Sequence, residues 1–253
     1  MEIVFLTALG VGGATVIGAL LGFLFKNPSH KFNDIVLSFA AGVMLAAAVV
    51  GLIYPSLEYS GEKYGIVVTV VGIFAGAAML NLIDKLVPHL HKITGTDIEK
   101  HPEMSTKLNR VLLFVIAIAI HNLPEGIAAG VSFGAGNTEQ AIAVAGGIAL
   151  QNIPEGMVII APMIAAGISH KKAFFIALGT GAVEVLGTLV GYFAVSISSA
   201  ILPFALAFAG GTMLYVISDE MIPETHAHGS ERAATYTLLF GFCLMLAFDF
   251  LLG

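Results

Sequence analysis

An all-α integral membrane fold is predicted by three observations. Of 253 residues 57% are hydrophobic and only 11% charged, and the mean hydropathy is +0.93, a balance far from that of a water-soluble domain. Eight apolar runs of roughly 20 residues, each long enough to cross the hydrocarbon core, are separated by polar connections. Two adjacent runs are interrupted by one polar signature: His121-Asn122-Leu123-Pro124-Glu125-Gly126, then Gln151-Asn152-Ile153-Pro154-Glu155-Gly156. The formal charge of −6 says little about partners, because several acids lie inside apolar runs, and nucleic-acid binding has no basic footprint. The single cysteine, Cys243, has no intrachain disulfide partner and is expected as a buried, inert thiol.

The runs cover about 3–25, 34–54, 65–87, 109–133, 138–165, 171–193, 200–222 and 234–252, and are expected to form one transmembrane domain over 1–253. The first reads as a true span and not as a cleaved signal. No basic stretch precedes it, and Gly10, Gly12, Gly13, Gly18 and Gly22 suit close helix packing. The second carries Phe39-Ala-Ala-Gly-Val-Met44-Leu45. After the third comes a mixed-charge connection over 92–107, with Gly95 and Pro102, expected as a surface segment. The fourth and fifth hold the paired signatures, the sixth holds Glu184, and the seventh repeats Phe208-Ala-Gly-Gly-Thr-Met-Leu214. The eighth carries Asp249 near its end, an entry ligand or an interfacial acid.

Lys and Arg set the orientation. Ten of the eleven basic residues fall on one side of this layout and only Lys63 on the other, so that side is cytoplasmic and both termini face out, in a multi-pass protein of the inner (cell) membrane. An ungapped shift of 169 residues aligns the two Phe-Ala-x-Gly motifs, and also Gly18 and Gly22 with Gly187 and Gly191. The matching spans run in opposite directions. That is an inverted repeat, the construction of secondary transporters with a midplane site.

Within each signature the first residue and the glutamate are four apart and share a helix face. Pro124 and Pro154 lack an N–H, which frees the carbonyls of Ile120 and Leu150 and should kink both helices. An ionisable group at the bilayer centre costs at least ~2.5 kcal/mol, so such groups tend to line ion paths and not merely to join helices, the bland alternative. Two helices offering imidazole, carboxylate and amide donors predict a cation site at mid-depth. No ATP-binding signature is present, so gradients are the expected energy source. An embedded metalloenzyme is disfavoured because no H-E-x-x-H pattern occurs. A proton- or sodium-coupled carrier of an organic solute is the stronger alternative, though it would call for a larger polar pocket.

Further acids and histidines cluster at span ends: Asp84, His89 and His91 after the third, and Asp219, Glu220, Glu224, His226 and His228 after the seventh. They read as weak ligands on an exit path, or as juxtamembrane solvation. Solvation is the expectation for His30, His101 and His170, and for Glu58 and Glu62 outside.

On these motifs the chain resembles the ZIP (Zrt-, Irt-like) family of divalent-metal transporters, in its short bacterial GufA-like branch. The resemblance extends over essentially the whole chain and rests on the paired signatures, Glu184 and the Phe208 to Glu224 run. It implies eight spans in a 3+2+3 arrangement, uptake of zinc or of cadmium, iron, manganese or cobalt into the cytoplasm, no resident cofactor and no enzymatic reaction, and a homodimer. Spans one, four, five and six are implied to move as a block against the others. One metal position would use His121, Glu125, Gln151 and Glu155 with Met44 nearby. The other would use Asn122, Glu125, Asn152, Glu155 and Glu184. Many relatives carry a carboxylate at Asn152 and a histidine at Gln151, so the second position is weakened here by one charge.

Overall fold

The computed structural model describes residues 1–25, 28–61, 65–86 and 107–252. In hydrocarbon no water satisfies backbone amides, so an apolar chain must close its hydrogen bonds within helices or a closed barrel. Helices without strands are what the described residues contain. Helix α1 spans Glu2–Gly22; α2, His30–Ala46, runs through a π-helical segment, Ala47–Ile53, into α3, Tyr54–Tyr59. There follow α4 (Gly65–Leu86), α5 (Lys107–Gly134), α6 (Thr138–Val158), α7 (Ile160–Ala165) and α8 (His170–Ile197). Helix α9, Leu202–Val216, passes through a second π-helical segment, Ile217–Met221, into α10, Ile222–Thr225, and α11 spans Glu231–Leu252. Seven of these stretches are long and apolar enough to cross a membrane, and the 28-residue α5 carries the His121 signature besides. The protein is a multi-pass membrane protein.

Helix starts follow capping chemistry. Ser29, Asn137 and Ser169 each accept a backbone N–H three residues on, from Phe32, Gln140 and Lys172. The Ser29 cap begins the second span at His30 and not at 34, bringing Asn33 and Asp34 into the helix. Both prolines sit inside their helices: α5 continues through Pro124, and α6 runs past Pro154 to give way at Ile159. The turn after each proline is tightly packed. A β-carbon on Gly126 would lie 2.2 Å from the Glu184 carbonyl oxygen, and one on Gly156 would lie 2.1 Å from that of Thr15. Two π segments depart from α-helical register, and the sequence did not announce them.

Two helix groups result. Helices α1, α5, α6 and α8 pack on one another, with α1 and α6 paired as α8 and α5 are; α2 packs on α11 and α4 on α9 in a second group. The groups meet chiefly where α2 faces α6 and α9 faces α5. Close approach depends on glycine. Gly18 abuts the Ile153 carbonyl, and Gly187 abuts that of Leu123, the same position of the other signature. Gly12 and Gly22 are likewise packed, against Gly181 and Met157. The expectation for Gly10 and Gly13 is corrected, since nothing lies within 4 Å of a β-carbon at either. Their side of α1 points away from α6 and α8. Cys243 is also corrected, being exposed. Helix α11 buries only the face of Ala234, Gly241 and Met245, and Cys243 lies on another side. The connection expected over 92–107 lies outside the described residues up to Lys107, where α5 begins.

Candidate metal site

The two signatures face each other across the α5–α6 contact. Gln151 Nε2 donates to Glu125 Oε1 at 2.9 Å. Asn152 Nδ2 donates to Glu184 Oε2 at 2.8 Å and to the Val11 carbonyl at 3.2 Å, while Thr15 Oγ1 donates to Glu184 Oε1 at 2.8 Å. Glu184 is fully buried, so both of its oxygens are accounted for by neighbours on α6 and α1. His121 turns the other way and donates through Nε2 to Glu220 Oε1 at 2.8 Å, in the second helix group.

A cavity of about 190 Å³ reaches this region from one face of the bundle. Met44, His121, Glu125, Glu155 and Glu220 line its inner part, and His30, Asn33, Asp34, Glu224 and His228 its mouth. Among the described residues its wall carries five carboxyl groups and no lysine or arginine. Further along the helices, away from the mouth, Leu52, Val144, Ile148, Leu206 and Met213 are buried in one apolar cluster that seals the far side. Gln151, Asn122, Asn152 and Glu184 stand behind the wall. Glu155 is close enough to Glu125, Glu184 and His121 for their charges to interact.

Unspent acceptors mark what the site suits. Glu125 Oε2, Gln151 Oε1, Asn152 Oδ1, Glu155 Oε1 and Glu220 Oε2 are buried with no hydrogen-bond partner among the described residues. Leaving so many polar oxygens unsatisfied is costly, and a cation cargo would use them. Asn122 leaves its Nδ2 unpaired, and a half-turn of the amide would present its oxygen instead. Among the described residues no three His, Cys, Asp or Glu side chains converge to hold a metal by themselves. Carboxylates here alternate with amides, and His121 is engaged by Glu220.

Of the residues assigned to an exit path, Glu220, Glu224 and His228 line the cavity, whereas Asp219 is exposed and His226 bonds the Ile222 carbonyl, Thr225 and Thr235. His226 thus ties the end of α10 to α11. The Asp84 side chain, His89 and His91 lie outside what is described. Sequence reasoning missed Asp34 and Asn33 and left His30 to solvation. Asp34 is 2% exposed and accepts from His228 Nδ1 at 3.0 Å, while the His30 and His228 rings stack at 4.6 Å. The signal was available: His30, Asp34 and Leu37 share the α2 face that leads to Met44. Thr15 was missed too, although it aligns with Glu184 at the 169-residue shift. Thr15→Val should strand one buried carboxylate oxygen and lower stability by about 1–3 kcal/mol, read as an earlier thermal transition in detergent.

Comparison with known proteins gives the family. The family model described as ZIP zinc transporter matches residues 91–249. The zinc transporter GufA of Myxococcus xanthus is 42% identical over 252 residues, 97% of each chain. The zinc transporter ZIPB of Bordetella bronchiseptica is 38% identical, over 95% of this chain and 78% of its own. The zinc transporter ZupT of Chlorobaculum parvum is 36% identical, over 95% and 94% respectively. A family match across most of the chain, joined by relatives aligned nearly end to end, means that the chain belongs to the ZIP zinc transporter family.

Proposed function

We propose that this chain carries divalent transition-metal ions, zinc foremost, across the membrane into the cytoplasm, by exposing one buried site to each face in turn. The observation that carries this reading is the set of unpaired buried oxygens at the closed end of an acid-lined cavity. Imidazole, carboxylate and amide oxygen are ligands that zinc accepts, and the lack of thiolate leaves cadmium, iron, manganese and cobalt as competitors. The ion is held first by His121, Glu125, Gln151 and Glu155 with Met44 beside them. A second position at Asn122, Asn152 and Glu184 is weaker, because both Glu184 oxygens already accept hydrogen bonds.

The paired glycine contacts support an inverted 3+2+3 repeat, and so do the π segments, since shifting Ala47–Ile53 by 169 residues overlays it on Ile217–Met221. In this reading α1, α5, α6 and α8 move as a unit against the rest, the positive-inside rule makes the cavity mouth cytoplasmic, and the working assembly is a homodimer. The test is zinc uptake into proteoliposomes with cadmium, manganese and iron as competitors. His121→Ala should cut uptake at least tenfold at low zinc. Uptake unaffected by His121→Ala would overturn the proposal.

A further inference from the structure

Side-chain hydrogen bonds between helices mostly stay within one helix group. Glu184 with Thr15 and Asn152, and Glu125 with Gln151, lie inside the group of α1, α5, α6 and α8; His228 with Asp34, and Asn81 with Tyr215, lie inside the other. His121 with Glu220 crosses the boundary, next to the metal position. We infer that Glu220 is an interlock: it holds His121 Nε2 in the cavity-open form, so that an ion using that nitrogen must take the imidazole from Glu220 and thereby uncouple α5 from α9. This rests on the transport reading above and adds the residue that links loading to movement.

Three features support the assignment. Glu220 and His121 are both largely buried, 6% and 12% exposed at the side chain, so their bond is poorly replaced by water. A π-helical segment, Ile217–Met221, carries Glu220; its altered register turns Glu220 into the cavity while Asp219 faces out. And one imidazole nitrogen cannot both donate to a carboxylate and give its lone pair to a metal, so the two states exclude each other at Nε2. A ligand that binds one state and not the other shifts the equilibrium by its difference in affinity.

The interlock makes a prediction opposite in sign to that for a direct ligand. Glu220→Gln keeps the shape and a neutral hydrogen bond but removes the charge, so zinc affinity of the purified full chain should rise roughly five- to tenfold, the gap between charged and neutral hydrogen bonds. The rise should vanish when His121→Ala is added. Titration calorimetry with zinc on the four proteins of this cycle gives the readout, and Glu220→Asp, which withdraws the carboxylate by one methylene, serves should Glu220→Gln fail to fold. An affinity that falls in Glu220→Gln makes Glu220 a ligand and overturns the interlock. An unchanged affinity, or a rise that persists without His121, overturns it as well. If instead the wild-type chain binds no zinc, the transport reading itself fails, and the two failures are thereby told apart.

Discussion

Glu125→Gln is expected to lower zinc affinity by roughly 10²- to 10³-fold and to abolish uptake at micromolar zinc, a loss set by removing one partner of a buried charge interaction. Glu125 joins the two signatures: its Oε1 accepts from Gln151 across the α5–α6 contact, and its Oε2 is buried without a hydrogen-bond partner among the described residues. Glutamine preserves the volume and can still accept from Gln151, so the substitution isolates charge from shape. Circular dichroism should show unchanged helix content. Zinc binding within threefold of wild type would mean that the buried acids serve packing and not the ion.

The second large effect is steric. Gly126→Ala is expected to destabilise the protein by about 1–3 kcal/mol, and Gly126→Val by more, because overpacking forces helices apart. The added carbon would stand 2.2 Å from the Glu184 carbonyl, and no flexible side chain can yield there. Gly13→Ala gives the contrast. With open space around Gly13, only the helix preference for alanine operates, worth about 0.5–1 kcal/mol in the stabilising direction. Thermal unfolding in detergent should therefore shift in opposite directions for the two variants, and shifts of the same sign would contradict the packing argument.

Much of this was legible in the chain, for identifiable reasons. Spans announce themselves because lipid demands long apolar runs, and the i, i+4 spacing put His121 with Glu125 and Gln151 with Glu155. Met44, named through the family resemblance, lines the cavity beside both glutamates. What spacing cannot supply is the identity of the opposing surface. Nothing in the signature indicated that His121 would meet Glu220, or that Glu184 would be satisfied by Thr15. Nor could the adjacent pair Asp219 and Glu220 be resolved into outward and inward members, because a π turn advances the helix face by a different angle from an α turn. Glycines misled for a similar reason: Gly10 and Gly13 have the composition of packing residues but occupy the unpartnered side of α1.

Among the described residues the acid-rich vestibule carries no lysine or arginine, and on the proposed orientation it is where cargo leaves. Its negative potential holds bare or hydrated dications near that mouth and repels anionic chelators such as citrate, phosphate or nucleotides. On that reading release depends on free-ion activity in the cytoplasm, and chelators there act by lowering that activity and not by reaching the bound ion.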